Sequence, residues 1–186
     1  MATIFTMILT GKIPGTFVWR DERCGVFLSI NPISKGHALV VPVEEVDHWL
    51  DATPELQAHM FDVAARIGRA QMTAFSPSRI AVVVAGFEVP HCHIHVLPAE
   101  SEADISFANA ATTVDRVEMD AAAASIRDAL RAAGDPNVAD GPQPHLPASG
   151  SGGPDLEAGR WGRVTGLGVG CSARSVLGRG CGRCQP

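Results

Sequence analysis

The sequence has no uninterrupted apolar run of the roughly 18 to 20 residues that a membrane-spanning helix requires. Its early apolar stretch, Ile4 to Leu9, lacks the basic flank and cleavage site of a secretion signal. A cytoplasmic protein with no membrane partner is therefore expected. Blocks of Lys and Arg are missing too, and the formal net charge is −5 at pH 7. That excludes the electrostatic footprint of a nucleic-acid binder, although a small phosphorylated ligand needs only a few local donors. Cysteines are few and odd in number (Cys24, Cys92, Cys171, Cys181 and Cys184), which argues against a disulfide framework and for reduced thiols. No repeat recurs at a period of about 20 to 50 residues.

What is present suffices for one domain: 186 residues, 46% apolar. Glycine and proline divide it. Residues 1–133 hold 13 of them, residues 134–186 hold 19 in a stretch less than half as long, and the net charge changes from −6 to +1. The expected division is a folded domain over 1–133 and a Gly/Pro-rich tail over 134–186. With Trp161 its only aromatic, the tail buries too little to offset a chain entropy of about 1 to 2 kcal/mol per ordered residue, and disorder is expected there. Cys181 and Cys184 have CxxC spacing, but with Cys171 they do not complete a four-ligand zinc site.

Before residue 134 the pattern alternates between strand and helix. Thr16 to Arg20 and Gly25 to Ile30 read as a hairpin around Asp21-Glu22-Arg23, and His37 to Val43 as a buried strand. Thr53 as N-cap, Pro54 at the first helical position and Leu56, Met60, Val63, Ala64 and Ile67 at helical spacing predict a long helix to about Phe75. Ile80 to Ala85 and His91 to Leu97 predict two more strands, and Asp115 to Ala133 a C-terminal helix closed by Gly134. This order implies an α+β fold with an antiparallel sheet of five strands.

Chemistry converges on His91-Cys92-His93-Ile94-His95-Val96-Leu97-Pro98. Strand alternation puts His91, His93 and His95 on one face and Cys92, Ile94 and Val96 on the other, with successive imidazoles about 6.5 to 7 Å apart by Cα. Three alternating histidines on an apolar strand leave several ring nitrogens needing partners, which speaks for a site rather than for core packing. Metal ligation is an alternative, with His37, Glu88 and Glu100 as further ligands.

The His-x-His-x-His string lies about 55 residues after Asn31-Pro32-Ile-Ser-Lys-Gly36-His37-Ala-Leu-Val-Val-Pro42, and both follow the opening Ile4 to Pro14. Together they resemble the histidine triad (HIT) family of nucleotide hydrolases and transferases, over residues 3 to 110. The resemblance implies a HIT-like fold with one long and one C-terminal helix. It implies cleavage at the α-phosphorus of a purine nucleotide derivative, a nucleoside phosphoramidate or a dinucleoside polyphosphate, through a nucleotidyl-histidine. His93 matches the nucleophile, its second ring nitrogen held by a backbone carbonyl. His95 matches the donor to phosphate or leaving group, His91 the residue that orders the site, and His37 a fourth imidazole facing the row. Neither cofactor nor catalytic metal is implied.

Departures from the family pattern carry their own expectations. Where relatives bind a structural zinc through two early cysteines and later histidines, this chain has Thr3 and Thr6, and Glu45 ends the Pro42-Val43-Glu44-Glu45 string; no structural zinc is expected. Ser29 stands where relatives carry an acid or amide for the ribose, Phe87 replaces a polar Gln, and Glu88 lies beside the leaving group either as a proton donor or as a solvated carboxylate. Phe27 and Ile30 match apolar positions of the base pocket, though Phe27 reads equally as core. Met60 and Val63 read as core or as part of a dimer interface, since relatives pair this helix and a strand into homodimers. The rival readings are a nucleotide-binding or regulatory protein of the same fold with little catalysis, and a His-ligated metal hydrolase.

Overall fold

In the computed structural model, which describes residues 2–140, five Val-, Ile- and Phe-rich segments pair into one antiparallel sheet. They are β1 (Phe17–Arg20), β2 (Cys24–Leu28), β3 (Ala38–Pro42), β4 (Arg79–Val83) and β5 (Ile94–Ala99), ordered β1-β2-β3-β5-β4. The register aligns Phe17 with Phe27, Phe27 with Leu39, Leu39 with His95 and His95 with Val83. Because side chains alternate across a strand, this row lies on one face of the sheet.

The opposite face packs on two helices, α2 (Pro54–Phe75) and α3 (Arg116–Ala132). Helix α2 starts where the sequence says: Thr53 Oγ1 accepts from the Leu56 amide at 3.2 Å, and Pro54 loses no hydrogen bond at this position. Its apolar stripe, Leu56, Met60, Val63, Ala64 and Ile67, is buried against Val26, Val40, Ile94 and Val96. Met60 and Val63 are thus core residues, not part of a dimer surface. Asp115 caps α3, which Arg127 pins to β1 by donating twice to the Phe17 carbonyl, at 3.0 and 2.7 Å.

Three features depart from the sequence reading. A short helix, α1 (Ile4–Leu9), forms where no element was expected, capped by Thr3, whose hydroxyl accepts from the Thr6 amide. It covers the sheet face left open by α2 and α3, packing Phe5 and Leu9 on Phe17, Phe27, Leu39 and Val41. The last strand begins at Ile94, not His91, because the amides before it are spent elsewhere: His91 N–H on the Val89 carbonyl and Cys92 N–H on the Val46 carbonyl. Finally, packing does not stop at Gly134. The Asn137 carbonyl accepts from the Arg20 amide, the Ala139 amide donates to the Val18 carbonyl, and Asp135 takes the Trp19 indole N–H at 2.9 Å. The rest of the tail, including Cys171, Cys181 and Cys184, lies outside the described residues.

Candidate active site

His37 enters the site from the turn before β3. Gly36 turns there at φ +80°, and a Cβ on it would stand 2.4 Å from the Phe75 ring, so both conformation and space call for glycine. Gln71, fully buried on the apolar stripe of α2, donates to the Gly36 and Val96 carbonyls at 2.9 Å each. It thereby clamps the backbone next to His37 and His95. A polar residue within an apolar helical stripe is the sequence signal for such a clamp.

The four histidines do not form a single row. His91 is fully buried and turns away from the others: its Nε2 lies 2.9 Å from the Pro42 carbonyl and its Nδ1 2.8 Å from the Thr3 hydroxyl. A carbonyl only accepts, so Nε2 carries the proton and Nδ1 accepts from Thr3. The chain continues outward, since Thr6 donates from its hydroxyl to Glu45 at 2.5 Å and Glu45 also takes the Thr3 amide at 3.1 Å. Thr3, Thr6, Glu45 and His91, from three separate segments, therefore close into one hydrogen-bonded cluster. The role of Thr3 as a partner of His91 was invisible in the sequence.

His93, His95 and His37 make a second cluster, buried but for a sliver of surface, with His93 6% and His95 8% exposed. Ring centroids are 4.7 Å apart for His93 and His95 and 5.2 Å for His37 and His95. His93 Nδ1 lies 2.8 Å from the His91 carbonyl, which places the proton on Nδ1 and leaves the Nε2 lone pair free. The Ile33 amide donates to His37 Nδ1 at 3.1 Å, so His37 carries its proton on Nε2, 3.0 Å from His95 Nδ1. His95 Nδ1 must then accept, and its Nε2–H points onward as a donor. One backbone amide thus assigns two imidazoles in series. The result is a lone pair on His93 beside an N–H on His95.

Burial is the main cause holding all four rings below the ordinary histidine pKa. His37 is lowered to about 4 and His95 to about 3, with neighbouring imidazoles adding to the shift, while His91 and His93 are lowered against the opposing pull of their carbonyl partners. At neutral pH the cluster is uncharged. The exposed Glu88 carboxylate is near enough to favour the protonated form of His93.

The remaining expected contacts divide. Phe27 is buried between Phe5 and Phe17, at 5.7 and 5.4 Å, and serves as packing; Phe5 in turn lies edge-on to His93 at 4.9 Å. Ile30 is 58% exposed and free to meet a ligand. The Ser29 hydroxyl accepts from the Asn31 amide at 3.2 Å. Phe87, which stands in place of a polar Gln, is 95% exposed and does not join the core. A wall that the sequence did not reveal is Phe107, edge-on to His95 at 5.0 Å. Its loop is tied back by Asn31 Nδ2 donating to the Ala111 carbonyl and by the Ala111 amide donating to the Pro32 carbonyl.

Residues 10–102 match the family model described as the HIT domain. "Protein hit" of Bacillus subtilis is 33% identical over 106 residues, 54% of this chain and 73% of that protein. A zinc-bound histidine triad family protein from Mycobacterium smegmatis has a similar solved structure, with TM-score 0.62 and 26% identity over 72% of this chain and 96% of that one. An adenylylsulfatase of Arabidopsis thaliana, HINT3, is 26% identical over 133 residues, 69% of this chain and 67% of that protein.

Proposed function

Since the chain belongs to the HIT family, we propose that it is a nucleotide hydrolase or transferase that cleaves at the α-phosphorus of a purine nucleoside phosphoramidate or dinucleoside polyphosphate, with His93 as covalent nucleophile. The observation that carries this reading is the pairing of a free His93 Nε2 lone pair with a His95 Nε2–H, each assigned by a hydrogen bond on its far side. The activity named for the Arabidopsis relative, an adenylylsulfatase, is of the same chemical type, an adenylyl group on a leaving anion.

In the first step the Nε2 lone pair bonds to phosphorus while the bond to the leaving group breaks. The departing amine or phosphate keeps the bonding electrons and takes its proton from solvent. The ring becomes a cation whose Nδ1–H stays on the His91 carbonyl. His95 Nε2–H donates to a non-bridging oxygen as charge builds there. Water then attacks phosphorus, Nε2 leaves with its electron pair, one proton of the water goes to solvent and the other stays on the new P–OH. Ile30 and Phe107 supply apolar contacts for the nucleoside, Ser29 a short polar contact to the ribose, and Glu88 a carboxylate beside the leaving group. His91 acts one step removed, presenting the carbonyl that orients His93.

A homodimer in the cytoplasm completes the reading. β4 is an edge strand with Val82 exposed, and Phe61 and Met72 stand exposed on α2. Among the described residues no helix is long and apolar enough to cross a membrane.

The test is incubation with adenosine 5′-phosphoramidate or diadenosine polyphosphate, rapid quenching and mass spectrometry. An adenylyl adduct on His93, with a burst of leaving group equal to the enzyme concentration and loss of both in His93→Ala, is expected. Nucleotide binding with neither adduct nor turnover establishes the binding-protein reading instead.

A further inference from the structure

We propose that Asp21, Cys24 and His59 form a binding site for a divalent transition-metal ion of the zinc type, separate from the histidine cluster. A carboxylate oxygen of Asp21, the Cys24 sulfur and a His59 ring nitrogen all lie within 4.8 Å of one another. Tetrahedral zinc with bonds of about 2.0 to 2.3 Å sets its ligand atoms about 3.3 to 3.8 Å apart. His59 Nε2 and Asp21 Oδ2 already meet at 2.8 Å, so an ion would enter by parting them slightly and drawing the sulfur in.

The site is shaped before any ion arrives. Asp21 Oδ1 accepts from the amides of Arg23 and Cys24 at 2.8 and 2.7 Å, fixing the carboxylate within the hairpin turn and leaving Oδ2 for a ligand. Such outer hydrogen bonds orient a metal-binding carboxylate. Cys24 opens β2 with its side chain in the core beneath α2, and His59 precedes Met60 in that helix, so the packing of α2 on the sheet itself brings nitrogen over sulfur. Imidazole, thiolate and carboxylate together suit zinc or cobalt better than magnesium or calcium. The Asp21 and His59 side chains are 19% and 23% exposed, which gives the ion a route in and water a fourth position.

Binding has to displace the Cys24 proton, against burial and the Asp21 carboxylate, which push that thiol up to about 12. On binding, the S–H bond breaks and its proton goes to solvent. The sulfur, the carboxylate and a lone pair of His59 Nε2, whose ring then carries its proton on Nδ1, all bond to the ion. The ion would staple the β1–β2 hairpin to α2. A plain His–Asp ion pair beside a core cysteine has no need of the thiol, and that difference is measurable.

The experiment titrates Co2+ into the full chain carrying Cys171→Ser, Cys181→Ser and Cys184→Ser, watching thiolate-to-cobalt charge-transfer absorption. The histidine cluster has no thiol and is silent in this band. We expect the band to saturate at a single ion per chain, to be displaced by Zn2+, and to vanish in Cys24→Ser. His59→Gln, on the half-exposed face of α2, should raise the dissociation constant about tenfold or more. Zn2+ should raise the melting temperature of the parent more than that of His59→Gln at the same ion concentration. The proposal is overturned if no band develops, if it survives Cys24→Ser, or if His59→Gln weakens binding by less than this.

Discussion

His37 Nε2 stands 3.0 Å from His95 Nδ1, and because the Ile33 amide already occupies the other nitrogen of His37, the proton between the two rings belongs to His37. His95 is thereby committed to presenting an N–H toward the ligand side. His37→Ala should remove this commitment without touching His93. The expected outcome is a fall in kcat of about tenfold to a hundredfold, less than or comparable to loss of a direct oxyanion donor, with the His93 adduct still forming. Quenched-flow measurement of adduct formation against steady-state kcat checks it.

The lowered histidine pKa values set two pH dependences. Kinetically, the neutral His93 imidazole should persist below the ordinary histidine range of about 6.5. A profile of kcat/KM should therefore stay flat through that value and fall only at lower pH. An acid limb at or above the ordinary value would contradict the burial of His93.

For stability, the unfolded chain gains histidine protons as pH drops through about 6.5, whereas folded His37 and His95 resist protonation until about 4 and about 3. The unfolded state thus binds more protons throughout that window. Melting temperature should fall as pH is lowered from 6.5 toward 4, and His37→Ala should flatten the slope.

Thr3 satisfies the Nδ1 of a fully buried imidazole. Thr3→Val keeps the shape and deletes the donor, at an expected cost of about 1 to 3 kcal/mol, the penalty of an orphaned buried polar atom. Glu45→Gln, exposed at the outer end of the same cluster, should cost less. Urea denaturation of both variants measures the difference, and an ordering with Glu45→Gln worse would show that the cluster is anchored from its surface end.

Trp19 donates its indole N–H to Asp135, and Val138 bridges to Trp19 along β1. A chain ending at Ala133 should melt below one ending at Asp140, because a buried indole N–H loses its acceptor and β1 loses its backbone bonds to Asn137 and Ala139. An expected deficit of about 1 to 3 kcal/mol is readable by calorimetry. Equal melting temperatures would return the domain boundary to Gly134.

Much of this architecture was legible as pattern. Local rules determined both long helices, since Thr53-Pro54 and Asp115 stop and start the chain by bonds made within one turn, and helical periodicity fixed which side of α2 is buried. Five strands could be read from their apolar runs, and the spacing of His37 from the triad marked the site. The sequence could not show that His91 departs from its two companions. That depends on Val46, Pro42 and Thr3, residues 45 or more positions away, capturing its amide neighbour and both its ring nitrogens. Nor could it assign a proton to His95, which follows from one amide at Ile33 acting through a second ring. Helix α1 was missed because six residues have little helical preference of their own, and its stability comes from laying Phe5 and Leu9 on a sheet face that only the assembled fold creates. Residue types and their periods determined the elements; tertiary structure decided which nitrogen faces which oxygen, because hydrogen-bond direction depends on partners that are close only once the chain has folded.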